Sequence, residues 1–361
     1  MKKVRLFFGM LFVCLFVLGA AGCGQPAENQ EEDNSTQETS APEAQPTNAA
    51  FLDAQAKLEA ALAPLPKKDT QAKLAALEIT LANPFWVTMK EGYEAAAKEY
   101  GVTIDVMAAP KENDVNSQLE TLKTIVNKDY DAIALSAITP FNLVPGAAEA
   151  TKKGIPVIAV GTSIDAAEAE KAGAKVAAFV TSDFEEQGKM GAQFIMDKIG
   201  SGKVAIIEGL PGAAQGEARK SGAQKAFESN ANIEIVSVSA GNWDRQTAYD
   251  ITSNLIQANP DLKGIFCAND VMALAAVEAL KAAGKKDQVA VVGVDFIDEA
   301  KASITKGELD ASVAMSPYLF GKGGVILALK VLEGQEIPED IFWTPLGLIT
   351  KENVNTFEGW K

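Results

Sequence analysis

Short runs rich in Val, Ile and Ala alternate with amphipathic segments along most of the chain, and this alternation constrains the fold more than any other feature. The apolar runs predict ten buried strands, at 74–80, 102–108, 132–138, 156–162, 176–182, 203–209, 233–239, 264–270, 289–295 and 310–316. The intervening segments predict helices, such as 113–129, 214–229, 244–258 and 271–283. Near-continuous apolar strands with helical crossovers are typical of parallel sheets covered on both faces. Ten strands exceed one compact α/β domain, so the sequence predicts two doubly wound parallel-sheet lobes.

The first 50 residues differ in composition from the rest and predict export. Residues 1–22 have the form of a signal peptide, with basic residues, an apolar run and then small residues before Cys23. The small residues before Cys23 resemble the lipobox of bacterial lipoproteins, which implies that Cys23 carries lipid. A signal peptide cut elsewhere and an uncleaved anchor are the alternatives. All three predict a location outside the cytoplasm.

Two further segments separate this leader from the first strand. Residues 23–50 are polar and acidic and lack Leu, Ile, Val and aromatic residues, which predicts a flexible linker that stays unfolded. Residues 51–73 predict a short amphipathic helix and a connector, with apolar side chains at helical spacing up to the prolines at 64 and 66 (Phe51, Leu58, Leu62 and Leu65). We expect this helix to pack on the domain surface; binding of a partner is the alternative.

Histidine is absent from the 361 residues, and this excludes several classes of active site. Without imidazole there is no Ser-His-Asp or Cys-His nucleophile, and one cysteine after Cys23 with carboxylates makes no common zinc site. The formal net charge of −15 makes nucleic acid a poor partner. We therefore expect no catalytic residues, no metal and no cofactor. A carboxylate-based glycosidase is the enzyme alternative, although Asp295 has no clear second carboxylate beside it.

Polar and aromatic residues follow several predicted strands, at the strand ends where open α/β sheets bind ligands. Phe85 and Trp86 are adjacent after the first strand. Neighbouring helical positions point about 100° apart, so we expect at least one of these rings to be free for binding. Asp244 and Asp270 begin predicted helices and are expected to act as helix caps or supports. If the lobes face each other, the strand ends converge on one cleft of a hinged binding protein.

Four segments carry a resemblance to a known family: "LANPFWVTMKEGYEAAAKEYGV", "VAIIEGLPGAAQGEARKSGAQKAF", "GNWDRQTAYDITSNLIQANPDLKGIFCANDVMALAAVEAL" and "VAVVGVD". Together they resemble the type I periplasmic sugar-binding proteins, and within them the ribose- and D-allose-binding branch. The resemblance implies two lobes joined by a three-crossover hinge, which close around one monosaccharide. It also implies a monomer that delivers the sugar to an ABC transporter permease. A signal receptor of the same fold, which hands an autoinducer or chemoattractant to a membrane sensor, is the alternative.

The resemblance also implies a division of the chain and a set of site residues. One lobe would contain 74–182 with 316–344, and the other 183–315 with 345–361. The implied ligand-binding positions are Asn83, Phe85, Trp86, Gly161, Thr162, Arg219, Trp243, Asn269, Asp295 and Met315. Trp86 and Trp243 would cover the two faces of the sugar. The carboxylate, guanidinium and amide groups would bond its hydroxyls.

Departures from the family pattern concern the identity of the sugar. Gly161 and Thr162 stand where ribose-binding proteins have an Asp-Arg pair and allose-binding proteins an acidic residue. Ile79 replaces a Lys of the allose-binding branch, and Met315 replaces a Gln. Each missing hydrogen bond to a hydroxyl weakens binding by about 1–3 kcal/mol. The sequence therefore predicts a ligand other than ribose or allose, which lacks a hydroxyl, carries a bulkier apolar substituent or is turned in the pocket.

Overall fold

Two six-stranded sheets organise residues 49–337, 339–357 and 359, which are the residues described by the computed structural model. The first sheet contains β1 (Lys73–Thr80), β2 (Thr103–Ala109), β3 (Ala132–Leu135), β4 (Val157–Val160), β5 (Ala178–Thr181) and β11 (Ile341–Trp343). The second contains β6 (Gly202–Glu208), β7 (Ile233–Ala240), β8 (Leu262–Cys267), β9 (Ala290–Asp295), β10 (Ala311–Ala314) and β12 (Gly347–Thr350). All pairs of these strands are parallel except β10 with β12.

Helices connect most successive strands and cover the sheets. They are α1 (Ala49–Ala61), α2 (Pro84–Tyr100), α3 (Val115–Val126), α4 (Val144–Lys152), α5 (Ala166–Ala172), α6 (Phe184–Ile199), α7 (Ala214–Glu228), α8 (Arg245–Ala258), α9 (Asp270–Ala282), α10 (Asp298–Lys306) and α11 (Pro317–Leu332). Two short 3₁₀ turns add Lys286–Gln288 and Val354–Thr356. No helix within these described residues has the length and apolar character needed to cross a bilayer.

The strand order places a topological switch point in each sheet. The first sheet has the order β11-β5-β4-β3-β1-β2, and the second has β12-β10-β9-β8-β6-β7. In each sheet the second strand, β2 or β7, lies on one side of the first strand, β1 or β6, and the later strands lie on the other side. Loops that leave in opposite directions at this point form a crevice at the carboxyl ends of the strands. The α/β fold with two mostly parallel sheets is therefore confirmed.

The chain passes between the two sheets three times. It leaves the first sheet after β5, returns to it after β10 for α11 and β11, and enters the second sheet again with β12. Strands β11 and β12 are absent from the sequence prediction because they lie outside the alternation of apolar runs and helices on which it rests. The other ten strands are found where apolar runs predicted them, with some shorter ends.

Helix α1 packs on the first sheet's side of the molecule against α11 and β11. Its buried face joins the core through four side chains: Phe51, Ala54, Leu58 and Leu62. Glu59 of this helix forms an ion pair with Lys322 of α11, with Oε1 and Nζ 2.9 Å apart. The helix begins at Ala49 and ends at Ala61, before the prolines, and Leu65 is exposed. The helix therefore packs on the domain surface as expected, although it is shorter than predicted. Residues 1–48, which include the predicted signal peptide and Cys23, lie outside the described residues.

Helices α6 and α7 pack so closely that their backbones touch. A Cβ added to Gly188 of α6 would lie 1.9 Å from the carbonyl oxygen of Arg219, and one added to Gly222 of α7 would lie 1.9 Å from that of Glu185. Helices α2 and α11 make the same kind of contact, since a Cβ on Gly92 would lie 2.0 Å from the Tyr318 carbonyl oxygen. Glycine therefore sets the distance between the paired helices in each half of the fold.

Candidate functional site

A cavity that is partly open to solvent lies where loops of the two sheets meet, and its space including that opening is about 380 Å³. It is lined by Asn83, Phe85, Trp86, Glu112, Gly161, Thr162, Phe184, Gln215, Arg219, Trp243, Asn269, Asp295 and Phe320. These residues follow strands β1, β2 and β4 of the first sheet and β6, β7, β8 and β9 of the second, or begin helices α6, α7 and α11. The structure thus brings all the predicted site residues to one cavity except Met315.

Asn83 fixes the start of helix α2 at the edge of the cavity. Its Oδ1 accepts a hydrogen bond from the Phe85 backbone N–H at 3.0 Å, which makes it the N-cap, and Pro84 takes the first helical position. Its Nδ2 donates to Glu112 Oε1 at 3.0 Å. The amide oxygen and one amide hydrogen are therefore engaged within the protein, so Asn83 has less capacity for a ligand than the sequence suggested.

Phe85 and Trp86 are both buried, with exposed fractions of 7% and 5%. Their rings meet edge to face with centroids 5.0 Å apart, and Phe85 also meets Phe320 of α11 at 6.2 Å. The expectation that the helix could bury only one of the two rings is corrected. Both are buried because Trp86 packs edge to face on Phe85 within the hydrophobic core and its indole N–H is taken up by Glu112.

Glu112 is a site residue that the sequence analysis missed. Its Oε1 accepts from Asn83 Nδ2 and from Trp86 Nε1, the latter at 3.1 Å, and no hydrogen bond to its Oε2 is found among the described residues. Burial raises the pKa of Glu112 to about 7, the two donors oppose this shift, and the charge of Asp295 adds to it. Contrary to the expectation that Asp295 stands alone, the cavity holds two carboxyl groups.

Arg219 and Asp295 form a buried ion pair on the opposite side, with Nη2 and Oδ1 3.1 Å apart. Arg219 Nε also donates to Gln187 Oε1 at 2.7 Å, and Nη1 donates to the Ala268 carbonyl oxygen at 2.8 Å. Burial raises the pKa of Asp295 to about 6, against the opposing effect of Arg219. The protein thus holds the guanidinium in place and leaves Asp295 Oδ2 available at the cavity.

The backbone at Asp295 and Phe296 has positive φ values of 109° and 56°. Neighbouring side chains hold this unusual turn, since Asp270 Oδ2 accepts from the Ile297 N–H at 3.0 Å and Ser312 Oγ accepts from the Phe296 N–H at 3.0 Å. Asp270 Oδ1 also accepts from Ser312 Oγ at 2.8 Å. Asp270 is therefore a support for the site, as predicted. Strained backbone that is held in this way is typical of functional sites.

Trp243 enters the cavity from the loop after β7, where Asn242 and Trp243 have φ values of 55° and 62°. Its indole lies directly on two glycines. A Cβ added to Gly209 would lie 2.0 Å from Trp243 Cη2, and one added to Gly216 would lie 3.0 Å from Cζ2. Asp244 caps the following helix by accepting from the Thr247 N–H at 2.8 Å, as predicted.

The remaining predicted residues contribute unequally to the cavity. Asn269 caps α9 through Oδ1, which accepts from the Met272 N–H at 3.0 Å. Thr162 donates its hydroxyl to the Ala137 carbonyl oxygen at 2.8 Å. Met315 is fully buried behind the cavity, where its Sδ accepts from Gln187 Nε2 and Arg219 Nη2. The structure therefore assigns Met315 to the support of Arg219 rather than to the lining.

The site combines apolar ring faces with unpaired polar atoms. Five aromatic side chains line it, and the unpaired acceptors include Glu112 Oε2 and Asp295 Oδ2. Such a set suits a molecule with apolar C–H faces and a rim of hydroxyl groups. Among the described residues, no group of three or more Cys, Asp and Glu side chains is arranged to hold a metal ion.

Comparisons with known proteins agree with this chemistry. A family model described as a periplasmic binding protein domain matches residues 79–336. The D-allose-binding periplasmic protein of Escherichia coli (strain K12) is 43% identical over 272 residues, or 74% of this chain and 88% of that protein. Ribose import binding protein RbsB of Bacillus subtilis (strain 168) is 33% identical over 274 residues, 76% of this chain and 85% of that protein. A periplasmic solute binding protein of an ABC transporter from Actinobacillus succinogenes 130z, solved with bound D-allose, has a TM-score of 0.76 at 33% identity and covers 80% of this chain and 100% of its own.

Proposed function

The chain belongs to the periplasmic binding protein family, and on that premise we propose that it captures one monosaccharide in the cavity and delivers it to an ABC transporter permease. Sugar binding outside the cytoplasm as part of ABC transport follows from its homology to the D-allose- and ribose-binding proteins. The observation that carries the proposal is the cavity itself, where aromatic faces and unpaired carboxylate oxygens from two lobes surround a space of about 380 Å³.

Within this proposal each wall has a separate task. Trp86 and Trp243 cover the apolar faces of the sugar ring. Glu112 and Asp295 accept hydrogen bonds from its hydroxyls. Asn269 donates to the sugar through Nδ2, for which no hydrogen bond is found among the described residues. Exclusion of water on closure strengthens these bonds and penalises any that are not made. The lobes, taken as 74–182 with 316–344 and 183–315 with 345–361, move about the three crossovers.

The proposed ligand is a sugar other than ribose or allose, even though a 43% identical relative is a D-allose-binding protein. Support comes from the side of the cavity at Gly161 and Thr162, where the threonine hydroxyl is already engaged by Ala137. Ile79 is buried and apolar, and Met315 lies behind the lining. Calorimetric titration with D-allose and D-ribose tests this part, and tight binding of either sugar would refute it.

The proposed function is tested first by mass spectrometry of whatever sugar co-purifies with the protein, followed by a thermal-shift panel of pentoses, hexoses and deoxysugars. A ligand at ~100 times its dissociation constant adds about 2.7 kcal/mol of stability and raises the melting temperature. We expect Asp295→Asn to abolish this shift, because it removes the charged acceptor and the partner of Arg219. Asp250→Asn, an exposed change on α8 of the same lobe, is the matched control and should retain the shift.

The proposal contains no catalytic step, although two carboxyl groups share the cavity. Glu112 is held by two donors of its own lobe and Asp295 by Arg219, so both are arranged to hold a ligand. The co-purified sugar should therefore be recovered chemically unchanged after prolonged incubation. A protein that binds no sugar of the panel, or whose Asp295→Asn variant keeps the full shift, would contradict the proposed function.

A further inference from the structure

Gln215 on the first turn of α7 lines the cavity with a side chain whose amide is unpaired. It has an exposed fraction of 8%, and its Oε1 is closed off from solvent with no hydrogen-bond partner. Its Nε2 also has no hydrogen-bond partner among the described residues. Buried amide groups in folded proteins almost always have partners, so an unpaired one at the wall of a binding cavity indicates a missing partner.

The surroundings of Gln215 contain few other groups that a ligand could use. Thr162 donates its hydroxyl hydrogen to the Ala137 carbonyl oxygen, and Gly161 has no side chain. Phe184 contributes an apolar ring. Ala214 and Ala218, which flank Gln215 on α7, line an adjoining groove together with Thr162 and Phe184. Arg219, one turn further along α7, has its guanidinium engaged by Gln187, Ala268 and Asp295. The amide of Gln215 is therefore a polar group on this side of the cavity that has no partner among the described residues.

An amide side chain offers a donor and an acceptor in one plane. Two neighbouring hydroxyls of a sugar ring match this pattern, because one can donate to Oε1 while the other accepts from Nε2. Rotation about the last side-chain torsion, which has a broad energy profile, can exchange the positions of the oxygen and the nitrogen to suit the order of the two hydroxyls. Glu112 and Asp295 offer only acceptors when ionised and cannot recognise a pair of hydroxyls in this way.

We propose that Gln215 is a specificity-determining residue that binds two neighbouring hydroxyls on the edge of a monosaccharide that faces α7. This inference rests on the proposed function, since it names the class of sugar that the same cavity selects. Sugars that lack either hydroxyl leave part of the amide unpaired and bind more weakly. Selection among sugars is thus made by a residue of the second lobe, which faces Gly161 and Thr162 of the first lobe.

The test compares Gln215→Met, which keeps the length of the side chain and removes its polar atoms, with Gln224→Met, a change at a more exposed glutamine of the same helix. The probe is the tightest binder among D-allose, D-ribose, D-glucose and D-galactose, titrated calorimetrically together with its monodeoxy derivatives. We expect Gln215→Met to weaken binding of the parent sugar about 10- to 100-fold. We also expect it to remove the discrimination against one monodeoxy derivative, while Gln224→Met changes neither quantity.

Two readouts separate this inference from the proposed function. If wild-type protein binds a sugar but Gln215→Met binds it within twofold of wild type, or discriminates against every deoxy derivative as before, the inference is wrong and the proposed function stands. If no sugar of the panel binds, the proposed function fails, and the unliganded melting temperature still tests the amide. Gln215→Met should then melt higher than wild type because it removes an unpaired buried amide, and an equal or lower value would overturn the inference.

Discussion

Glu78 is a buried carboxylic acid in strand β1, and neither of its carboxyl oxygens has a hydrogen-bond partner among the described residues. Burial raises its pKa to about 9, opposed in part by the charge of Lys90. The folded state therefore holds Glu78 protonated at neutral pH, whereas the unfolded chain ionises it near its ordinary pKa of 4.5. Its contribution to stability is fully present below pH 4.5 and is lost as the pH rises towards 9.

Replacement of Glu78 by Gln should remove this dependence, because an amide of similar shape cannot ionise. We expect the free energy of unfolding of wild type, relative to Glu78→Gln, to fall by up to about 1.4 kcal/mol for each pH unit between pH 5 and 8. Urea denaturation at pH 5, 6, 7 and 8 measures the difference. Glu170→Gln, at an exposed position of α5, is the control, and parallel pH curves for wild type and Glu78→Gln would contradict the assignment.

Individual site residues were predictable from sequence to different degrees. Asn269 and Asp295 could be found because they directly follow apolar strands, at the strand ends that line open α/β clefts. Glu112 follows β2 under the same rule, but it stands in a charged loop that looks like solvated surface. What singles it out is its pairing with Asn83 and Trp86, a contact between separate loops that no local pattern contains.

At the scale of elements, the close pairing of α6 and α7 positions Arg219. The backbone oxygen of this residue would meet a Cβ on Gly188 at 1.9 Å, so the two helices are in direct backbone contact and leave no room for a side chain at this point. The guanidinium of the same residue reaches Asp295 and the Ala268 carbonyl oxygen in the cavity wall. The geometry of the site therefore depends on a helix contact that lies outside it.

Gly188→Ala should disturb this contact, because the new methyl group must push two backbones apart. We expect a loss of about 1–3 kcal/mol in the free energy of unfolding and weaker sugar binding through displacement of Arg219. Gly347→Ala in β12 is the control, since its Cβ would meet the Ile349 side chain at an ordinary 3.8 Å. Denaturation and calorimetry measure the two effects, and a Gly188→Ala variant as stable as the control would refute this account of the packing.

The elements that sequence predicted well are those with strong periodicity. All ten apolar runs form strands. Those inside the sheets are buried on both faces, which requires uninterrupted apolar residues, whereas the edge strands β2 and β7 are only partly buried. Strands β11 and β12 could not be predicted, since they follow the last predicted apolar run and are defined by their pairing with β5 and β10. The α1 helix is shorter than predicted, and Leu65 continues the spacing without continuing the helix.

At the scale of the whole molecule, residues 1–48, which include the predicted signal peptide and Cys23, lie outside the described residues. The proposed anchor is lipid on Cys23, followed by the acidic linker. A second thiol, Cys267, is fully buried in β8, and burial strongly raises its pKa, so it is unreactive. The proposed lipid is therefore assigned to Cys23 rather than to Cys267.

Cys23→Ser should prevent the attachment of lipid and release the protein from the membrane, because lipid anchoring requires the thiol. We expect wild type to incorporate labelled palmitate and to partition into the detergent phase, whereas Cys23→Ser does neither. Cys267→Ala is the matched control and should behave as wild type. Membrane retention and labelling of Cys23→Ser would contradict the proposed anchor, without bearing on sugar binding.

The three passages of the chain between the sheets have a consequence for synthesis. Helix α11 packs on α2 and on β3, β4 and β5, and it supplies Leu319 and Phe320 to the core of that half of the molecule. Translation reaches these residues only after all of β6 to β10 has been made. A nascent chain that ends at Ala314 therefore carries a first lobe with its apolar face uncovered. The order of the sequence therefore leaves that lobe incomplete until α11 has been made.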